Sequence, residues 1–188
     1  MSQNEYGALI EEILDAVTDE IEYQNALGGD RTDGSSKTLA DYMVMANVYA
    51  EESCLLWVKF AGDHRALCAF RKVAAIAYRA LRLEQDEETL RQFSHNVIPQ
   101  RAYLWKSYTT AQCAGILKNQ TGVILSHLDS HFPSIGPSLA LDLMTSAFAA
   151  MIVCGIVTRK KEEEVKEYEA SLDHVVRTFG KRPTSDVH

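Results

Sequence analysis

Glu51 and Glu52 stand in a stretch whose apolar residues recur at helical spacing on two sides, a setting that favours partial burial of an acid. Paired acids on a helical core can hold Mg²⁺ and polarise a water for hydrolysis. The simpler reading, which we prefer, is an ion pair with Arg71 or Lys72, or plain exposure. A second grouping is cationic. Arg65, Lys72 and Arg79 repeat at i, i+7 and i+14, with Arg71 and Arg82 beside them, and residues 64–83 contain no acid. Such a stripe can hold a phosphate or an acidic surface through charge-assisted hydrogen bonds. It can equally be a solvated face, or pair with acids elsewhere in the chain.

Those acids are concentrated. The first 26 residues carry Glu5, Glu11, Glu12, Asp15, Asp19, Glu20 and Glu22 and no Lys or Arg, so the whole net charge of −7 originates there. On a helical wheel Glu12, Asp15, Asp19 and Glu22 lie opposite the apolar stripe and are candidates for contact with a partner. An acidic total argues against general nucleic-acid binding.

Other constellations are weaker. His127 and His131, at i and i+4, could share a metal, but spacing offers no third ligand. Residues 30–41 have the length of a calcium loop, yet Ser35 stands where glycine is required and Asp41 where glutamate is. Cys54, Cys68, Cys113 and Cys154 lie in apolar stretches with no CxxC, which suits reduced thiols filling a core. There is no Gly-rich phosphate loop, GxSxG or HExxH. The opening residues lack the cationic and apolar regions of a secretory signal, which points to the cytoplasm.

The elements that must position these residues are helical. With 188 residues, 46% hydrophobic and 24% charged, the chain can build a full core without staples. Tyr6, Ile10, Ile13, Leu14, Val17 and Ile21 predict a first helix over 3–26, followed by a turn-rich loop at 28–36. A second helix over 38–60 carries one stripe of Leu39, Tyr42, Met43, Ala46, Tyr49, Ala50, Trp57 and Phe60 and another of Val44, Val48 and Leu55. Two apolar faces predict a central position. A third helix begins at Asp63, with Ala66, Phe70, Val73, Ala74, Ala77 and Leu81 inward and its bases on other faces.

Residues 85–100 read as a connector with a short helix that stops at Asn96-Val-Ile-Pro99, and further helices are expected near 101–118, 121–131, 138–157 and 159–179. Phe132–Pro137 reads as a rigid turn. The near-continuous apolar run 139–157 has the minimum length of a membrane span, but Asp142, Thr145 and Ser146 favour a core or interface helix. The expected fold is therefore all-α: an N-terminal three-helix unit (1–84), a connector (85–100) and a C-terminal helical bundle unit (101–182). The apolar run, and the final helix where Val165, Tyr168, Leu172, Val175, Val176 and Phe179 fall at heptad-like spacing, need covering, which predicts a homo-oligomer.

One resemblance overlies this reading. Glu20-Ile-Glu22-Tyr-Gln24, Gly28-Gly29, Thr32-Asp-Gly34, Ala40-Asp-Tyr42, Tyr49-Ala50 and Asp63-His-Arg-Ala-Leu67, leading into Lys72-Val-Ala-Ala-Ile-Ala77, resemble small phage-encoded helical proteins, some loosely grouped with MazG-like nucleotide pyrophosphohydrolases. The similarity covers residues 11–84. It implies a helical fold, a phage origin and a bacterial host's cytoplasm, with Mg²⁺ as the cofactor if the hydrolase is retained. Those enzymes use ExxE on one helix and ExxD on the next. Glu51-Glu-Ser-Cys-Leu55 does not supply the first, and Cys68-Ala-Phe-Arg-Lys72 brings cations where the second would stand. The expectation is thus a non-catalytic binding protein without a cofactor. It would take a protein on Glu12, Asp15, Asp19 and Glu22, or a small phosphorylated ligand on Arg65, Arg71, Lys72 and Arg79. The alternatives are a divergent Mg²⁺-dependent nucleotide pyrophosphohydrolase using Glu51 and Glu52 with acids from a second subunit, and a structural subunit of a larger assembly.

Overall fold

A computed structural model describes residues 3–26, 36–60, 63–128 and 132–163. The fold is all-α. Six helices follow in order: α1 (Gln3–Ala26), α2 (Leu39–Phe60), α3 (Asp63–Leu81), α4 (Glu87–Trp105), α5 (Thr110–Ser126) and α6 (Phe132–Cys154), and the described chain ends in a helical turn over 159–163. The 28–36 loop up to Ser35, His131, and the final helix beyond residue 163 lie outside the described residues.

The centre is α3, not α2. Fourteen of the nineteen α3 residues are buried, because α2, α6 and α1 all pack on it. Ala66, Ala69, Ala74, Ala75, Ala77 and Ala80 give it a thin surface on several sides, which lets neighbouring helices approach closely. By contrast, α2 buries only part of its first stripe, at Tyr42, Met43, Ala46 and Ala50. Val44, Val48 and Leu55, expected to be covered, are 47%, 58% and 56% exposed, and Trp57 is also exposed. Periodicity had identified an apolar face, but among the described residues no helix covers it.

The C-terminal half joins the same core. Leu143 to Met151 of α6 are all buried, and Tyr78 of α3 stacks on Phe148 with ring centroids 6.4 Å apart. Among the described residues α6 is the one helix long and apolar enough to cross a membrane, and its apolar surface is covered here by α3, α4 and α5.

Several helix limits differ from expectation, and each has a local cause. α4 runs through Pro99 to Trp105, held by the buried face of Leu90, Ser94, Ile98 and Ala102, so packing outweighs the roughly 3 kcal/mol cost of an interior proline. Asp86 caps its start by accepting from the Thr89 amide at 2.9 Å. The break at 106–109 follows from a capping box: the Gln112 amide donates to Thr109 Oγ1 at 3.3 Å, and the Thr109 amide donates to Gln112 Oε1 at 2.8 Å. Thr38 and Asp41 do the same for α2. α6 begins at Phe132 rather than 138, since Pro133 and Pro137 fall in its first two turns, where few helical donors are lost. It stops at Cys154 because Gly155 adopts φ +120° while its amide donates to the Met151 carbonyl at 2.9 Å.

Candidate functional site: an acidic face backed by a neutralised cluster

On α1, Ile10, Ile13, Leu14, Ala16 and Val17 face the core. Turning away from it are Asp15, Asp19 and Glu22, all exposed and without a hydrogen bond or ion pair among the described residues. Glu12 is partly buried and meets Lys161 at 3.6 Å. Three of the four acids expected to face outward thus form an open anionic edge, and the fourth is tied to the segment after α6.

The cations of α3 are in a different condition. Arg71 is 0% exposed. Its Nε donates to Glu20 Oε2 at 2.9 Å, Nη1 donates to the Val157 carbonyl at 2.7 Å, and Nη2 donates to Glu162. Arg159 adds a second positive charge, with Nη1 3.3 Å from Glu162 Oε2 and its guanidinium 3.5 Å from the centre of the Tyr23 ring. Two arginines against two glutamates make the cluster neutral, the condition under which burial of charge is tolerated. Burial alone would lower the Arg71 guanidinium, but the hydrogen bond to Glu162 and the charges of Glu20 and Glu162 outweigh it and raise the group above its ordinary value. Arg71, expected on an outer face, is therefore locked inside and has no donor directed at solvent.

The remaining stripe is also engaged. Lys72 Nζ lies 3.7 Å from Glu52 Oε2 and 5.1 Å from the centre of the Tyr49 ring, while Arg79 sits 5.4 Å from the centre of the Tyr42 ring. Arg65 is exposed at the start of α3. The four cations do not converge on one cradle. Glu51 is exposed and Glu52 pairs with Lys72, as the simpler reading had it. Among the described residues of one chain, no group of three or more His, Cys, Asp and Glu side chains is placed to hold a metal ion.

Sequence reasoning missed Glu20 although the signal was present. It lies three residues after Val17 and seven after Ile13, so it occupies the apolar stripe itself. An acid on such a stripe calls for a buried cation.

A second polar group joins α4, α5 and α6. Arg101 donates through Nη2 to Asp142 Oδ1 and through Nη1 to Ser146 Oγ, both at 2.5 Å, and Gln120 Nε2 donates to Asp142 Oδ2 at 2.7 Å and Ser146 Oγ at 2.8 Å. Gln120 Oε1 is left buried without a partner. Gln120 and Asp142 border a cavity of about 270 Å³ whose other walls include Ile116, Val123, Ile124 and Leu139.

Comparison with known protein families, with curated proteins and with solved structures finds no match.

Proposed function

We propose that this chain is a non-catalytic interaction protein that presents the acidic edge of α1 to a basic surface of a protein partner. The observation that carries this reading is an asymmetry: Asp15, Asp19 and Glu22 are exposed and unpaired among the described residues, whereas Arg71, Lys72 and Arg79 are engaged within the chain. Charge of one sign on one edge steers association and selects partners more than it adds raw affinity. The resemblance to small phage-encoded proteins gives the reading a setting, a host protein in a bacterial cytoplasm. Capture of a small phosphorylated ligand has less support, since Arg71 would have to leave a saturated site. An assembly of copies would use the bare α2 stripe of Val44, Val48 and Leu55 rather than α6.

The test is affinity capture from a bacterial lysate with the native chain and with an Asp15→Asn, Asp19→Asn, Glu22→Gln variant. A partner retained by the first, lost from the second and released by salt supports the proposal. Equal retention by both counts against it. Release of pyrophosphate from a nucleotide panel with Mg²⁺, lost in Glu52→Gln, would replace it with the hydrolase reading.

A further inference from the structure

Four cysteines behave alike in the sequence and unlike in space. Cys68 Sγ has His64 Nε2 as a neighbour at 3.8 Å. Cys113 and Cys154, separated by 41 positions, bring their sulfurs to 3.6 Å. A disulfide needs about 2.05 Å between sulfurs, so closure asks for roughly 1.5 Å of approach. Both thiols are free in this structure.

The surroundings make the two chemically unequal. Cys113 is fully buried in the first turns of α5, and Cys154 is partly exposed as the last residue of α6. The sulfur contact with Cys113 and a hydrogen bond with the hydroxyl of Thr110, the first residue of α5, hold the Cys154 thiol below its usual range, against opposing burial and the charge of Asp63. The same sulfur contact, with burial, pushes Cys113 up. Cys154 is therefore the sulfur that a small molecule in solution can reach, and its thiolate would be the attacking form. Gly155, in the left-handed region, follows Cys154 directly and frees the end of α6 from the conformational limits of a side chain.

We propose that Cys113 and Cys154 form a reversible thiol–disulfide site, with Cys154 as the attacking and Cys113 as the resolving sulfur, and with a low-molecular-weight disulfide as the oxidant. In the first step the Cys154 thiolate attacks one sulfur of the small disulfide, forming a mixed disulfide and expelling one thiolate. In the second, Cys113 gives its proton to that thiolate, and its sulfur attacks Cys154 Sγ, expelling the second small thiolate. Two protein thiols are oxidised by two electrons and the small disulfide is reduced to two thiol equivalents. The bond would tie the start of α5 to the end of α6, where the chain departs to deliver Glu162 to Arg71.

The experiment uses the full chain, folded, equilibrated with oxidised glutathione, quenched by alkylation and read by peptide mass spectrometry. The expected product joins the Cys113 and Cys154 peptides while Cys54 and Cys68 are alkylated. A Cys113→Ser variant is expected to stop at the mixed disulfide on Cys154, and Cys154→Ser is expected to slow oxidation at Cys113 by at least tenfold. Four alkylated thiols in the native chain, or glutathione spread across Cys54 and Cys68 with no 113–154 link, would overturn the proposal. Circular dichroism of each serine variant establishes that the chain remains helical, and the native-chain result decides the matter without them.

Discussion

Arg71 and Arg101 have similar partners and different circumstances. Each guanidinium meets at least one carboxylate and a backbone carbonyl on an element distant in sequence. Arg71 is sealed within a neutral four-charge cluster beneath α1, whereas the Arg101 side chain is 26% exposed and its partner Asp142 is 48% exposed beside a cavity. Solvent is what separates them. A buried guanidinium with each of its nitrogens engaged is a clamp, since any change leaves a carboxylate stranded without water. A half-exposed one can exchange its protein partners for water, so the network it holds is replaceable.

The largest effect is therefore expected from Arg71→Met. It removes the positive charge from Glu20 and Glu162 while filling the space, and breaking a buried pair from one side costs about 3–5 kcal/mol. Urea denaturation followed by circular dichroism measures it. A loss below about 1 kcal/mol would mean that Glu20 and Glu162 find water or Arg159 readily, and the contrast between the two arginines would collapse.

Arg101→Met comes next. Solvent screening at both Arg101 and Asp142 limits the expected loss to about 1 kcal/mol, well below that of Arg71. Equal losses in the two variants would show that exposure does not set the difference. Gln120→Met sharpens the same point. It removes the two hydrogen bonds to Asp142 and Ser146, each worth about 1 kcal/mol net, but it also removes a buried acceptor that has no partner. The two terms oppose, and the measured change is expected to stay within about 1 kcal/mol.

This contrast also marks what periodicity can and cannot reveal. The inward face of α3 was legible, because Ala66, Phe70, Val73, Ala74, Ala77 and Leu81 fall on one stripe and all are buried. That Arg71 would be buried too was not legible. It depends on how many neighbours α3 has, and a stripe records only one. The same limit explains Val44, Val48 and Leu55, a real apolar stripe left bare because α5 and α3 cover other sides of α2. Prolines mislead in the opposite direction: Pro99 and Pro137 read as breaks, yet tertiary packing carries α4 and α6 through them. Glu20 was legible in principle, being an acid on an apolar stripe. The meeting of Cys113 with Cys154 was not, since no local pattern links residues 41 positions apart.

A third ion cluster extends the comparison to its exposed limit. Glu11 of α1 accepts from Arg91 of α4 and lies 2.6 Å from His95 Nε2, with its side chain 39% exposed. The hydrogen bond from Arg91, aided by His95, holds the Glu11 carboxyl below its ordinary value of 4.5, against a smaller effect of burial. A carboxyl depressed in the folded state adds stability that is present above its unfolded value and fades as pH falls through the folded one. In Glu11→Gln the urea midpoint should therefore lie slightly below that of the native chain at neutral pH, and the two should converge once the solution is acid enough to protonate the native carboxyl. Because the pair is exposed, the difference should also shrink in high salt. A gap that persists unchanged in acid would show that Glu11 acts through packing between α1 and α4 rather than through its charge, and would place this surface contact nearer to Arg71 than to Arg101.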